Sequence, residues 1–191
     1  RRVVAAIMQA RGTGSLQRTS SLSNLIAKEM LFMWAIMLGL EKFNESLTNE
    51  LFNLKLISKA DFTIFFRNLS HIPDNISLLK DSFYLPLTED LVKKWNIWLT
   101  KWHDCMKKNG DSKEISKSMK QTNPKYTWRE WMIVPAYQEA EEGNYSKIKE
   151  LQTIFKSPYE EQSLDIEQKY SRLRPREFFN KGGVSHYSCS S

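Results

Sequence analysis

Thr88-Glu89-Asp90-Leu91-Val92-Lys93-Lys94-Trp95-Asn96-Ile97-Trp98-Leu99-Thr100-Lys101-Trp102-His103-Asp104-Cys105-Met106-Lys107-Lys108 is the stretch whose reading decides the fold. Leu91, Trp95, Trp98, Trp102 and Cys105 recur at three- and four-residue steps, so a helix carries them along one stripe. Thr88 is a good N-cap, and Glu89 and Asp90 suit the positive end of the helix dipole. Lys107 and Lys108 suit the negative end, and Asn109-Gly110 is a stop signal. Two uses of the stripe compete. Indole faces stack on nucleic-acid bases. Large aromatics on a helical stripe also bury about 150 Å² or more each in a core, and the core reading is preferred. It makes Cys105 an inert buried thiol.

Outward from this helix, helical spacing dominates and strand patterns are nearly absent. Leu22 to Leu40 reads as a helix stopped by Gly39. Ser46 is the expected cap of a second helix, with Leu47, Leu51 and Leu54 on one face. Ser58 with Asp61 resembles a capping box opening a third helix with Phe62, Phe65, Phe66 and Leu69 inward. Residues 111–122 read as an exposed connection or short amphipathic turn. After the break at Asn123-Pro124 a helix is expected from about Tyr126 to Glu142, kinked or split at Pro135 and ended by Gly143. Ser146 to Lys156 forms another, and the remainder is irregular apart from a short helix at Pro175 to Asn180. The expected fold class is all-α, an array of about seven helices with short loops.

The 191 residues are 41% hydrophobic and 26% charged, as in a globular domain able to bury a core. The net charge of +6 is concentrated at one end. Residues 1–28 hold Arg1, Arg2, Arg11, Arg18 and Lys28 and no acid; removing these from the 28 basic residues leaves 23 against 22 acidic ones. The chain is therefore divided into a basic, Ser-rich segment 1–28, disordered or transit-like, and a helical domain 29–191. A transit role implies a mitochondrial destination, and its absence a cytoplasmic one. Lys93, Lys94, Lys101, Lys107, Lys108, Lys113, Lys117, Lys120 and Lys125 make a basic middle that could attract nucleic acid; solvated helix faces account for it more simply. No apolar run reaches the roughly 18 residues of a membrane span, so no membrane partner is expected.

Catalytic signatures are missing. There is no G-x-S-x-G elbow, H-E-x-x-H or C-x-x-C. Gly12-Thr13-Gly14 lacks the third glycine, the lysine and the preceding strand of a phosphate loop. Glu139, Glu141 and Glu142 read as a solvated helix end. His71, His103 and His186 are scattered, and Cys105 and Cys189 make neither a disulfide framework nor a metal cluster. From the residues alone, catalytic, cofactor and metal ligands are none.

A set of blocks in fixed order nevertheless resembles the C-terminal part of the selenoprotein O family. They are Met37-Leu38-Gly39-Leu40; Ala60-Asp61-Phe62-Thr63 with Phe66-Arg67 and Leu69; the Trp95–Trp102 helix; Asn123-Pro124-Lys125-Tyr126 with Arg129; Ala140-Glu141-Gly143 through Ser146; Pro158-Tyr159 with Glu161-Gln162; and Cys189-Ser190-Ser191. Ile64, Glu130, Ile133-Val134 and Asn144 depart from the family pattern. The resemblance implies the helical C-terminal region of a kinase-like, pseudokinase fold. It implies, for the complete protein, an adenylyltransferase that uses ATP with Mg²⁺ or Mn²⁺ to move AMP onto protein hydroxyls. It also implies that the nucleotide-gripping groups lie upstream, so that this chain alone is inactive and its partners are the upstream lobes, with protein substrates for the full enzyme. Cys189 matches a position where some members carry selenocysteine, which suggests a redox role. The alternatives are a stand-alone helical interaction protein (a decayed paralogue) and, more distantly, a nucleic-acid binder.

Overall fold

The computed structural model describes residues 15–107 and 110–179. Among them all regular structure is helical, and one isolated antiparallel bridge joins Ala60 to Phe83. The α-helices are α1 (Ser15–Met37), α2 (Glu45–Ser58), α3 (Phe62–Leu69), α4 (Glu89–Met106), α5 (Ser112–Thr122), α6 (Glu130–Glu141), α7 (Ser146–Ile154) and α8 (Leu164–Tyr170), with 3₁₀ segments at Ile76–Ser82 and Arg176–Phe178.

The tryptophan helix is as the sequence dictates. Thr88 caps α4 by accepting from Leu91 N–H, and Trp95, Trp98 and Trp102 are fully buried. Each of the last two indoles also satisfies a backbone carbonyl: Trp98 Nε1 donates to Leu47 O (2.9 Å) and Trp102 Nε1 to Leu38 O (2.8 Å). None of these three indoles has a face open to a base. The stripe is the centre of a core built from α1, α2, α3 and α4 with Met119 of α5. Cys105 is only half-buried, not sealed as expected, and faces Asn44 Nδ2 at 3.7 Å.

Gly39 ends α1 in the left-handed region (φ +66), and the Leu40 N–H returns to Ala35 O at 2.9 Å, a Schellman-type close that a Cβ would strain. The turn also has no room: a Cβ there would sit 2.6 Å from Ile115 Cγ2 and 2.8 Å from Met119 Sδ. This docks α5 on α1.

Several local expectations are corrected. Helix α1 begins at Ser15 rather than Leu22, and α2 is capped by Asn44, which accepts from Leu47 N–H, rather than by Ser46. Asp61 is itself the N-cap of α3; Ser58 turns back to Leu54 O, and Phe62 is 48% exposed. Residues 112–122 form a helix, because Met119 and Ile115 give it an apolar edge against α1. Helix α6 starts at Glu130, since Arg129 is extended (φ −130) and engaged elsewhere, and it runs through Pro135 as one element. Helix α8, within a stretch read as irregular, is capped by Ser163. With α6 and α7 it closes a second, smaller core containing Tyr126, Trp131, Leu151 and Tyr170.

Candidate functional site

The two cores meet along the segment 123–129 and the turn 158–162, which hold most of the residues singled out in the sequence. Pro124 forces Asn123 into extended backbone (φ −95, ψ 100), as expected before proline, and ends α5 there. Asn123 is fully buried and points its amide at the first core, donating to Met37 O (2.9 Å) and Ser70 Oγ (3.0 Å). The next backbone N–H groups, of Lys125 and Tyr126, both donate to Pro158 O (2.8 and 3.1 Å). Gln162 Nε2 donates to Ile154 O and Ser157 O, fastening the same turn to the end of α7.

Charge completes the seam. Arg129 makes a bidentate pair with Asp61 (2.7 and 2.8 Å), and Tyr84 OH donates to the same carboxylate at 3.2 Å. Burial pushes the Asp61 carboxyl up, but the bonds and charge of Arg129, with Ile64 N–H and Tyr84, outweigh it and hold it below the ordinary carboxylate value. A second cluster joins Arg67 on α3 to Glu161 (2.7 Å), Glu161 to Lys125, and Lys125 to Glu167 on α8 (2.8 Å). Arg67 also caps the end of α5, donating to Lys120 O and Asn123 O. Partial burial raises the Glu161 carboxyl, yet Lys125 and Arg67 bring it down to about 2. Burial lowers the Lys125 ammonium, and Glu161 with Glu167 more than reverse this.

Asn123, Pro124, Lys125, Arg129, Pro158, Glu161 and Gln162 thus converge on one seam. Tyr126 lies beside it in the second core, its ring buried. Tyr159 stands apart: it is 44% exposed, near Lys113, Lys117 and Lys120 of α5. Cys189 lies outside the described residues. Sequence reasoning missed Tyr84 and Glu167; neither sits in a pattern that marks it, since their role comes from tertiary approach alone. Among the described residues no three His, Cys, Asp or Glu side chains gather closely enough to share a metal ion.

Arg67, Lys125, Glu161 and Glu167 also form the inner end of a groove of about 1200 Å³ that runs between α3, the first 3₁₀ segment and the stretch 171–179. Its outer part is lined by Lys59, Lys80, Arg172, Arg174 and Arg176, with Asp81 as the remaining acid.

A sequence model of the family described as "Protein adenylyltransferase SelO" matches residues 18–156. Among curated proteins, the chain is similar to the protein nucleotidyltransferase YdiU of Tolumonas auensis (34% identity, covering 86% of this chain and 33% of that protein). It is likewise similar to the YdiU proteins of Methylobacillus flagellatus (32%, covering 77% and 29%) and Flavobacterium johnsoniae (32%, covering 81% and 31%). The chain spans about a third of the length of the curated relatives it matches. The family match extends across the seam's first strand of residues, 123–129, and both of the partners they bind on α3, Asp61 and Arg67, lie within it. The chain belongs to the SelO family of protein adenylyltransferases.

Proposed function

We propose that this chain is the helical C-terminal portion of a protein adenylyltransferase that moves AMP from ATP to Ser, Thr or Tyr hydroxyls of proteins, and that its own part is to buttress kinase-like lobes carried by other polypeptide of the complete protein. In that reading ATP with Mg²⁺ or Mn²⁺ is held by those lobes, and the 191 residues alone do not transfer AMP. The observation that carries it is the engagement of the signature side chains. Lys125, Arg129, Arg67, Asp61 and Glu161 are the charged residues that the signature blocks bring to the seam, and each is paired with another across it. Nucleotidyl transfer needs cations and carboxylates aimed at the phosphates; here they hold helices together.

The surface of α1 supports the same reading. Met30, Leu31, Phe32 and Met33 are consecutive and 42–51% exposed, so they point around most of the helix circumference. A helix apolar on every side is normally buried in a larger protein. Together with Ile26, and with Phe52 and Leu56 on α2, it offers a wide apolar surface for a lobe to cover.

The test is calorimetric titration of the purified chain with ATP and Mg²⁺ or Mn²⁺, beside a full-length relative such as the Tolumonas auensis protein. Uptake by the long protein and none by the chain is expected. Tight, metal-dependent uptake by the 191 residues overturns the proposal.

A further inference from the structure

Charges along the groove of about 1200 Å³ are unevenly matched. At its inner end Arg67 and Lys125 are answered by Glu161 and Glu167. Further out, Lys59, Lys80, Arg172 and Arg176 form no ion pair with any described residue, although Arg172 lies over the Trp131 ring at 5.5 Å, and Asp81 is the acid left among them. Arg174 adds a guanidinium that donates from Nη2 to Phe178 O and lies 5.8 Å from the Phe179 ring, with its Nε buried without a hydrogen-bond partner. Between these cations the wall is apolar: Tyr84 and Phe179 meet edge to face at 5.7 Å, and Leu85 and Pro175 continue it. Lys59 holds a left-handed backbone (φ 51) at the end of α2, a conformation uncommon for a side chain of that length. Its C-cap N–H returns to Leu56 O and Lys55 O, so the turn fixes where Lys59 stands on the groove wall.

We infer that this groove is a docking site for an extended acidic peptide, one that alternates carboxylates with apolar side chains. The groove exceeds the roughly 300–1000 Å³ of small-ligand pockets, while several residues of extended chain fit it. Cations come from three separate segments of the lining, Lys59, Lys80 and 172–176, and an extended peptide that alternates the two kinds of side chain presents all its carboxylates to them on one face. Tyr84, Leu85 and Phe179 supply apolar seats between them. The chain's own last residues do not match this chemistry: 180–191 contain Lys181 and His186 and no Asp or Glu. The inference goes beyond the adenylyltransferase reading and involves no nucleotide.

Fluorescence anisotropy tests it on the whole 191-residue chain, with a fluorescein-labelled peptide of alternating glutamate and leucine as the probe. A lysine–leucine peptide and a labelled oligothymidylate serve as comparisons. The acidic peptide is expected to bind, with affinity falling as salt rises, and excess ATP is expected not to displace it. Reversing two exposed cations, Lys80→Glu with Arg176→Glu, weakens binding by about tenfold or more. The pair Lys113→Glu and Lys117→Glu, on the separate basic face of α5, leaves it within about twofold. Circular dichroism confirms that both variants keep their helices; if the first does not, Lys80→Gln with Arg176→Gln replaces it. No binding of the acidic peptide overturns the inference. So do equal losses in both variants, or oligothymidylate binding as tightly as the peptide.

Discussion

Replacing Asp61 by alanine should weaken the fold more than any other single change at the surface of the seam. The carboxylate does three things at once. It caps α3 through Ile64 N–H (3.1 Å), accepts both arms of Arg129, and accepts from Tyr84 OH. The cap alone is worth about 1 kcal/mol. Breaking a buried ion pair from one side costs about 3–5 kcal/mol. Asp61 is 9% exposed and Arg129 15%, so the orphaned guanidinium keeps some access to water and the lower end applies. Asp61→Ala is therefore expected to cost about 3–4 kcal/mol in all, and Asp61→Asn, which keeps a capping oxygen, about 1 kcal/mol less. Urea unfolding followed by tryptophan fluorescence measures both. A double-mutant cycle with Arg129→Met isolates the pair, with a coupling of about 2 kcal/mol expected. Because the pair ties α3 of the first core to the segment entering α6 of the second, the alanine variant should also unfold in two steps. A loss below about 1 kcal/mol with a coupling in the range of exposed pairs, under about 0.5 kcal/mol, refutes the claim that this seam joins the cores.

Other consequences follow from the same packing. Asp61 and Glu161 both titrate lower when folded, so their contribution is complete above the unfolded carboxylate values and fades as pH falls toward 2; Glu161→Gln should flatten that acid limb in urea midpoints measured from pH 6 to pH 2. Lys55 is buried with its Nζ over the rings of Phe62, Phe65 and Phe66 and without a hydrogen-bond partner, and burial, only partly offset by Asp61, lowers its ammonium to about 8. The unfolded chain keeps that proton up to about 10.5, so stability should climb between pH 8 and 10.5. Lys55→Met should abolish the climb and raise stability at pH 7 by about 1–3 kcal/mol. Gly39→Ala, which adds a clash with Ile115 and Met119 to an unfavourable left-handed backbone, should cost about 2–3 kcal/mol in thermal melts. Leu31→Glu with Phe32→Lys on α1 should change stability by less than about 1 kcal/mol while reducing self-association in size-exclusion chromatography.

The helices were legible where one short-range rule governs them. The stripe of α4, its Thr88 cap and the stop of α1 at Gly39 are all set by residues within a turn or two of each other. Helix α5 was missed because its apolar edge is two residues wide and makes sense only against Gly39 of α1, some eighty positions away. The cap of α3 was misassigned by three residues, since Ser58 and Asp61 both carry capping oxygens and the pattern does not say which one the chain turns at. The seam was half legible. Its members stood out as a set of signature blocks, but nothing in their spacing pairs Arg129 with Asp61 or Lys125 with Glu167. Those pairings exist only where the two cores meet.

Directional contacts explain why the most recognisable residues of this chain gather at the seam. Apolar stripes can build each core with many sequences, because volume and pattern suffice there. The angle at which one core meets the other depends on a few directional contacts: a bidentate guanidinium pair, a buried amide reaching two acceptors, a proline that ends α5 at the start of the seam. If α1 and the face of α2 carry a nucleotide-binding lobe, as proposed, then the seam fixes where that lobe stands relative to the basic groove on the other side of α3. A change at Arg129 would then alter docking in the groove and support of the lobe together, although it touches neither ligand. Measuring acidic-peptide affinity in Arg129→Met puts this to the test. A drop of several-fold with the groove's own cations intact is expected, and unchanged affinity in a variant that has lost the pair's stability would show that the groove is shaped by α3 and the 171–179 stretch without help from the seam.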